Sequence, residues 1–470
     1  MSYGNKFIRH LYDLAPYPVK TIFTSVYGLR QRQTRYGNFF EEEIKLLKKS
    51  QYWDSGELLR FQFDKLTQFF KEIRNVPYYK ENPVYRDLDP IEMSKYPIIP
   101  RYIVKENPSA FYNRDKKDVV WYHTSGTSGS AMNFPLSIET WQYEYAFRYM
   151  QYMLSGVDLC RRDKIAICAS HPVTPVSRKF PPFWSYDAAN NHLYFSSYHF
   201  SMDNMVHYIR KLEEFNPMIL HGFPSSIYLL ALAYQKYGRK KLDLRAIYTS
   251  SENLLDFQRK RIEEAFQVKV YNWYGNGEKC AFIVECEKGE LHLRNEYSFT
   301  EILNREDHPC KPGETGRVVS TNYNNPAFPL IRYDIGDLVT VAENQISQCG
   351  RSGLLIDKID GRKEDYILTP EGKIVGLLDP IFKDAVNITE AQVEQLILEE
   401  VVFRIVPGKY YTTRDEEQLL YEARFRLGDS IRIRFEYVDK IERTANGKLR
   451  FVVSKLNQTI HSDIISNFRL

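Results

Sequence analysis

Hydroxyls and glycines crowd together in the run Tyr122-His-Thr124-Ser125-Gly126-Thr127-Ser128-Gly129-Ser130. Glycine lets a backbone approach anionic oxygens closely, and Ser and Thr add hydroxyl and N–H donors. Thr124, Ser125, Gly126, Thr127, Ser128 and Gly129 therefore suit a cradle for the phosphates of ATP. A linker or turn is the plain alternative. Val119-Val120-Trp121 ahead of the run reads as a strand, and Ser137 to about Leu154 behind it reads as a helix. A strand–loop–helix phosphate site is the expectation. It is not a Walker P-loop, because no G-x-x-x-x-G-K-[ST] spacing occurs.

Other segments carry what a nucleotide needs. In Trp273-Tyr274-Gly275-Asn276-Gly277-Glu278, the aromatics offer a ring for a base. Gly275 and Asn276 allow close approach there, and Glu278 is a carboxylate able to hold Mg²⁺ beside phosphates. Ile331-Arg332-Tyr333-Asp334-Ile335-Gly336-Asp337 ends in a carboxylate suited to accept both ribose hydroxyls. Ser250-Ser251-Glu252 follows a strand-like stretch, where an α/β sheet opens its carboxyl-end crevice; a helix N-cap is the other reading. Asp360-Gly361-Arg362-Lys363-Glu364 puts charge and glycine at a boundary of the kind that makes hinges. Arg443-Thr-Ala-Asn-Gly-Lys448 presents one lysine on a polar turn. Each segment alone reads equally well as a surface turn. Their shared order along the chain is what unrelated turns do not explain.

Positioning these groups requires a sheet whose strand ends meet. Asn38 to Tyr79 has helical apolar spacing, and Pro83, Pro90, Pro97 and Pro100 then punctuate a connector. Strand-like 164–169, 218–220, 245–249 and 268–271 alternate with helix-like 202–215, 225–237 and 254–266. This pattern predicts an α/β fold with mainly parallel sheets flanked by helices. Between about 290 and 345 the pattern changes to alternating strands and turns, an antiparallel β subdomain. Beyond a boundary near 358–366, residues 391–401 read as helix, 401–406 as strand, 416–428 as helix and 431–437 as strand. The chain thus divides into 1–360, a large N-terminal domain, and 361–470, a small α+β domain carrying Lys448.

Composition narrows the function classes. A formal net charge of +4 over 470 residues is too balanced to indicate a nucleic-acid partner. The basic excess lies in residues 1–36, where Lys6, Arg9, Lys20, Arg30, Arg32 and Arg35 face one acid, Asp13. Peripheral contact with an anionic membrane surface is one reading of this arm, and a basic face packed on the body is the other. No apolar stretch approaches the roughly 20 residues of a bilayer span. The early charges of the arm break any signal-peptide core, and six cysteines include no C-x-x-C pair. Reduced thiols in a cytoplasmic protein are expected.

Taken together, the motifs resemble those of the adenylate-forming superfamily of acyl-CoA synthetases and adenylation domains. Thr124–Gly129 is similar to its phosphate loop, Tyr274–Glu278 to its adenine and Mg²⁺ motif, and Arg332–Asp337 to its ribose motif. Gly361-Arg362 resembles its hinge motif, and Arg443–Lys448 its catalytic-lysine motif. Within it, His221-Gly-Phe-Pro-Ser-Ser226, Asp365–Gly372 and Asn387–Gln395 look like the phenylacetate–CoA ligase branch, particularly its CapK-like members associated with capsular polysaccharide. The resemblance implies two steps. A carboxylic acid reacts with ATP to give an acyl-adenylate, with Lys448 and Glu278 catalytic. The small domain then pivots near Glu364, and the acyl group passes to a thiol of CoA or of a phosphopantetheinyl carrier protein. Transfer to a sugar amine or hydroxyl is an alternative outcome, and so is a weakened scaffold of the same fold. The acyl pocket is expected near Tyr198, Phe223 and Tyr248, aromatics for which ordinary core packing is the alternative. One departure stands out: Ser130 and Ala131 replace the Lys-Pro that usually closes the phosphate loop.

A metal site is also suggested. Cys286, His292 and Cys349 could converge on tetrahedral Zn²⁺, with Cys280 or Cys310 as a fourth ligand. The branch commonly has Cys-x-Cys-Gly-Arg at this point, and here Ser347 stands at the first cysteine position. Buried reduced cysteines are the competing reading.

Overall fold

The computed structural model describes residues 11–12, 14–123, 132–169, 173–175, 178–200, 202–362, 367–370, 374–375, 378–382, 385, 387–443, 449–454 and 456. β1 (Val119–His123) and β2 (Asn133–Ser137) form an antiparallel pair in which His123 faces Asn133. The alternating region supplies β3 (Ile165–Ala169), β4 (Trp184–Asp187), β5 (His192–Ser196), β6 (Ile219–Gly222), β7 (Ala246–Ser250) and β8 (Val270–Gly275). β9 (Phe282–Glu285), β10 (Leu291–Leu293), β11 (Phe299–Leu303), β12 (Thr315–Thr321), β13 (Tyr333–Val341) and β14 (Leu355–Arg362) follow.

These last twelve strands make one sheet of order β11-β12-β13-β14-β10-β9-β8-β7-β6-β3-β5-β4. Pairing is parallel along β5-β3-β6-β7-β8, as the α/β alternation predicts, and antiparallel elsewhere. The strands of about 290–345 are antiparallel as expected, but they do not stand apart. β9 pairs with β8 and β10 with β14, so the antiparallel half continues the parallel half edge to edge.

The parallel strands are apolar on both faces because both are covered. Cys168, Leu220, Ile247 and Val270 pack with the helices Met202–Phe215, Pro224–Tyr237 and Asp256–Phe266. On the other face, Ile165, Ile219, Tyr248 and Tyr271 share a core with the helices Asn38–Ser50 and Ile138–Met153. Gly222 is required where β6 passes β3, since a Cβ there would meet the Cys168 carbonyl oxygen at 2.2 Å. The helix Ile138–Met153 starts at an N-cap, Ser137, whose hydroxyl accepts from the Thr140 amide at 3.1 Å. It buries Thr140, Tyr143, Glu144, Phe147 and Gln151 along one helical stripe.

The basic arm is packed on the body through its described part. The helix Tyr17–Arg35 lies on β4: Thr24 and Ser185 hydroxyls meet at 2.7 Å, and Asn190 donates to the Gly28 carbonyl at 3.2 Å. Its outward row, Ile22, Val26 and Leu29, stays exposed. No helix among the described residues is long and apolar enough to cross a membrane.

Beyond β14, β15 (Ile367–Leu368) pairs with β16 (Ile374–Val375). β17 (Ile388–Ile397), β18 (Glu400–Pro407), β19 (Arg432–Tyr437) and β20 (Val452–Ser454) form a second sheet of order β19-β18-β17-β20. The helix expected at 391–401 is instead strand β17 and the turn into β18. Its Glu, Gln and Leu content favours helix locally, but antiparallel pairing with Val401–Val406 buries Ala391 and Val393 and overrides that preference. The helix Thr413–Leu427 and strand β19 agree with expectation. Phe382, Val393 and Phe403 join the apolar core that contains Tyr228 and Phe257, and the Tyr228 hydroxyl donates to the Ile388 carbonyl at 2.7 Å.

Candidate functional site

The turn after β8 and the middle of β13 meet at one corner. The Tyr274 hydroxyl donates to Asp337 Oδ2 at 2.6 Å, joining the proposed base and ribose motifs. Burial, with the Asp337 charge beside it, pushes the Tyr274 phenol well above its ordinary value, so it stays a donor. Asn276 folds the turn by accepting from the Cys280 and Ala281 amides at 2.8 and 3.4 Å. Among the described residues its own amide nitrogen is buried without a hydrogen-bond partner. Leaving such a donor unsatisfied costs about 1–3 kcal/mol, so the corner has a place for an acceptor. Gly275, at the end of β8, is exposed beside it. The half-buried Asp337 sits opposite Arg362 in the β13–β14 register.

Glu278 is 2% exposed. The Arg101 guanidinium lies 3.6 Å from its carboxylate and the Tyr333 hydroxyl donates to it at 3.4 Å. A buried carboxylate oxygen at the base of a nucleotide corner is a fitting hard donor for Mg²⁺. Arg332, from the same motif as Asp337, does other work. Its guanidinium grips Glu301 at 2.9 and 3.0 Å and the Tyr96 carbonyl at 2.7 Å, locking β13 to the connector.

The residues Thr124, Ser125, Gly126, Thr127, Ser128 and Gly129, with Ser130 and Ala131, lie outside the described residues. What flanks them corrects the expected strand–loop–helix order. β2 stands between the loop and the helix Ile138–Met153, so the flanks are a strand pair and no helix N-terminus follows the loop directly.

The other side of the corner is the turn after β7. Ser251 holds a left-handed φ of 72°, a conformation that non-glycine residues adopt at a cost and that clusters at functional sites. Glu252 accepts from the Ser225 amide at 3.2 Å and from the Leu449 amide at 2.7 Å. Arg443 donates to Glu390 at 2.5 Å, and its charge also reaches Glu252. Of the residues that flank 444–448, Leu449 is thus held at the turn after β7 and Arg443 by Glu390 of β17. Gly361 approaches the same turn: its φ is 85°, and a Cβ there would lie 2.9 Å from the Asn253 amide nitrogen. The Arg362 side chain, Glu364 and Lys448 lie outside what the structure describes, as does the side chain of Tyr198.

Of the residues expected around an acyl group, Tyr248 is fully buried. Its hydroxyl is used on the Gln151 carbonyl at 2.9 Å and its ring stacks on Tyr271. Phe223 caps the helix Pro224–Tyr237 and is 3% exposed. The groups that do line the strand ends on this side are His221, Trp273 and, from the helix Ile138–Met153, Tyr145 and Arg148. His221 lies 4.9 Å from Trp273 and Arg148 5.7 Å above it, ring centroid in each case. Sequence reading quoted His221 and Trp273 within motifs but missed Tyr145 and Arg148; the spacing of Trp141, Tyr145 and Arg148 on the helix after the loop was the available signal.

A second cluster lies where the β9–β10 turn meets the segment before β14. One ligand atom each from Cys286, Glu290, His292 and Cys349 lies within 4.8 Å of the others. Cys286, His292 and Cys349 come together as the sequence suggested, but the fourth member is Glu290. Cys280 points its thiol at the Glu278 carbonyl, and Cys310 lies against Gly316. Ser347 explains the change: its hydroxyl reaches Glu290 at 3.1 Å and the Cys349 sulfur at 3.2 Å, holding a carboxylate where a cysteine is absent. His292 Nδ1 faces the Ser352 carbonyl at 3.4 Å, which turns Nε2 toward the cluster in the manner of metal-ligating histidines. Burial raises the Cys349 thiol, yet hydrogen bonds from Ser347 and Arg351 outweigh this and bring it below its ordinary value; burial pushes Cys286 up to about 11. Two thiols, an imidazole and a carboxylate at this spacing fit tetrahedral Zn²⁺.

Comparison with known proteins follows the same geometry. Residues 367–455 match the family described as the CapK C-terminal domain. Protein CapK of Staphylococcus aureus is 26% identical over 463 residues, covering 96% of this chain and all of that protein. The phenylacetate-coenzyme A ligase of Thermus thermophilus is 27% identical over 215 residues, 44% of each chain. Among solved structures, 2-hydroxyisobutyryl-CoA ligase in the postadenylation state, in complex with R3-HIB-AMP, superposes with a TM-score of 0.68 at 16% identity, over 89% of this chain and 94% of that one. The same ligase in its thioesterification state, over the same shares and at the same identity, gives 0.52.

Proposed function

Because this chain is a CapK-like adenylate-forming protein, we propose that it is an AMP-forming ligase. It activates a carboxylic acid with ATP and passes the acyl group to a thiol, in the service of surface polysaccharide assembly. The observation that carries the reading is the adenosine corner: Tyr274 bonded to Asp337, beside a buried Asn276 amide that lacks an acceptor. Adenine meets Tyr274 and Asn276, and the ribose hydroxyls donate to Asp337. A carboxylate oxygen of the acid attacks the α-phosphorus; that P–O bond forms as the bond to the β-phosphate oxygen breaks, and pyrophosphate leaves. The residues 124–129 hold the departing phosphates. Lys448 neutralises charge at the α-phosphate, as in other in-line phosphoryl-type transfers where positioning and charge do the catalysis. Mg²⁺ would be held by Glu278 and, when bound, neutralises phosphate charge.

The contacts of Glu252 with Leu449 and of Tyr228 with Ile388 support a resting arrangement in which the 361–470 portion faces the adenosine corner. The better match to the postadenylation state of the ligase neighbour agrees with this. Pivoting at Glu364 then withdraws Lys448 and admits CoA or a phosphopantetheine thiol, whose sulfur attacks the acyl carbon and releases AMP.

Acid-dependent release of pyrophosphate by the purified chain tests the reading; a complete absence of release across an acid library, with ATP bound, favours a scaffold. Restoring the usual cation by Ser130→Lys is expected to speed pyrophosphate release by about tenfold, roughly 1.4 kcal/mol of charge stabilisation. An unchanged rate would show that the loop works without it.

The second cluster is proposed as a structural Zn²⁺ site ligated by Cys286, Glu290, His292 and Cys349. Metal analysis is expected to find about one zinc per chain. Cys349→Ala loses it and lowers Tm by about 2 °C, taking about 2 kcal/mol at roughly 1 °C per kcal/mol for a chain of 470 residues. Stoichiometric zinc in that variant, or none in the parent, sinks the site.

A further inference from the structure

The side of the adenosine corner that faces the helix Ile138–Met153 is cationic. Arg148 lies over Trp273, the residue before Tyr274, and its Nε and Nη2 donate to Glu144 at 2.9 and 2.6 Å. Lys279, the residue after Glu278, brings its ammonium to the same Glu144 at 3.2 Å. One carboxylate therefore faces two cations, and the Tyr297 hydroxyl takes its other oxygen at 2.5 Å. A third cation comes from the N-terminal helix. The Arg35 guanidinium lies 4.3 Å from the centroid of the Tyr145 ring, and Arg148 lies 5.3 Å from that same ring. Among the described residues Arg35 makes no hydrogen bond and no ion pair. The acid within its field, Asp187, accepts from the Asn190 side chain and the Ala189 and Asn190 amides, and the Arg35 charge acts on it without direct contact.

Position adds to charge. Trp273 and Tyr248 on the strands are buried, whereas Arg148 keeps 29% of its side chain exposed and Arg35, Tyr145 and His221 are half-buried. Arg148, Tyr145 and Arg35 thus form one partly exposed row that starts at Trp273, the residue before Tyr274. An apolar acyl group there would strip water from two guanidinium groups and return nothing, a loss of several kcal/mol. A second anion on the substrate repays the same desolvation, because guanidinium and carboxylate or phosphate pair through parallel hydrogen bonds.

We infer that the acid activated by this protein carries a second negative charge, held by Arg35 and Arg148 at the far end of the acyl pocket. This rests on the ligase reading above, and the experiment separates the two. Matched acids of equal chain length, succinate against butyrate and glutarate against valerate, are offered to the full chain. Binding is followed by calorimetry with AMP present, and turnover by pyrophosphate release with ATP. The dianionic member of each pair is expected to bind at least about tenfold tighter at low salt, with the advantage shrinking as ionic strength rises. Arg35→Gln is expected to remove most of that advantage and to leave the KM for ATP within about twofold, while the exposed Arg30→Gln changes neither. Preference for the dianion that depends on Arg35, without pyrophosphate release, supports the cationic pocket and sinks the ligase reading. Pyrophosphate release that favours monocarboxylates, or a preference that Arg35→Gln leaves intact, overturns the inference and keeps the ligase. A rise in the KM for ATP in Arg35→Gln overturns it too, since the cations would then serve the nucleotide phosphates.

Discussion

Lys448→Ala is expected to lower exchange of pyrophosphate into ATP by about 10²–10³-fold, the usual cost of deleting one group aimed at developing charge. Nucleotide binding, read by titration with a fluorescent ATP analogue, should stay within about threefold, because the affinity comes from the corner made by Tyr274, Asn276 and Asp337. The split between the two readouts is the informative part. A lysine that only held the 361–470 portion in place would weaken both together. The flanks of 444–448 have holders of their own: Leu449 bonds to Glu252 and Arg443 to Glu390, and neither contact needs the lysine ammonium. Near-wild-type exchange in the variant would remove Lys448 from the mechanism. A loss of ATP binding equal to the loss of exchange would make it a binding residue instead.

On the proposed reading the two readouts separate because adenosine and the α-phosphate are served by different parts of the chain. Tyr274 and Asp337 lie on β8 and β13, which are strands of one continuous sheet. Lys448 belongs to the 361–470 portion, which meets the turn after β7 through Leu449. The left-handed Ser251 and the close approach of Gly361 to Asn253 lie in that seam. Backbone strain and a missing Cβ are where a conformational change is expected to find room.

How much of this was legible in the sequence depended on distance along the chain. The turn at 274–278 is local, and Asn276 folds it by accepting from the Cys280 amide, so its residues stand together as their sequence proximity suggests. The parallel strands read correctly because Ile165-Ala-Ile-Cys168 and its neighbours are apolar on both faces. What stayed hidden was decided by partners far away. Residues 391–397 have helical residues but pair with β18, and the register supplies hydrogen bonds that propensity cannot reveal. β2 separates the phosphate-loop segment from the helix Ile138–Met153 because Asn133–Ser137 finds β1 as a partner. Nothing local marks Glu290; Ser347, 57 positions on, holds it among the thiols. Arg35 read as part of a basic arm. Only packing of the helix Tyr17–Arg35 on the body brings it to Tyr145, and that contact replaces an aromatic expectation for the acyl pocket with a cationic one.

Asp337→Ala is expected to be the other large loss, and of a different kind. Two ribose hydroxyls donating to one carboxylate are charged hydrogen bonds worth about 1.5–3 kcal/mol each, so their removal should weaken ATP by about 10²–10⁴-fold. Tyr274→Phe removes only the hydroxyl that orients Asp337 and should cost about tenfold or less, since the ring and the carboxylate both remain. Asp337→Asn keeps one acceptor and belongs between them. The position is thereby ranked by chemistry, not by size. The sugar itself provides the decisive check. The parent chain should discriminate against 2′-deoxy-ATP and 3′-deoxy-ATP, and Asp337→Ala should no longer do so, because the partner of the missing hydroxyl is already gone. If the variant still discriminates against both deoxynucleotides, the ribose lies elsewhere. Tyr274–Asp337 would then be a structural bond of the sheet, and the nucleotide would have to be sought on the far side of Glu278.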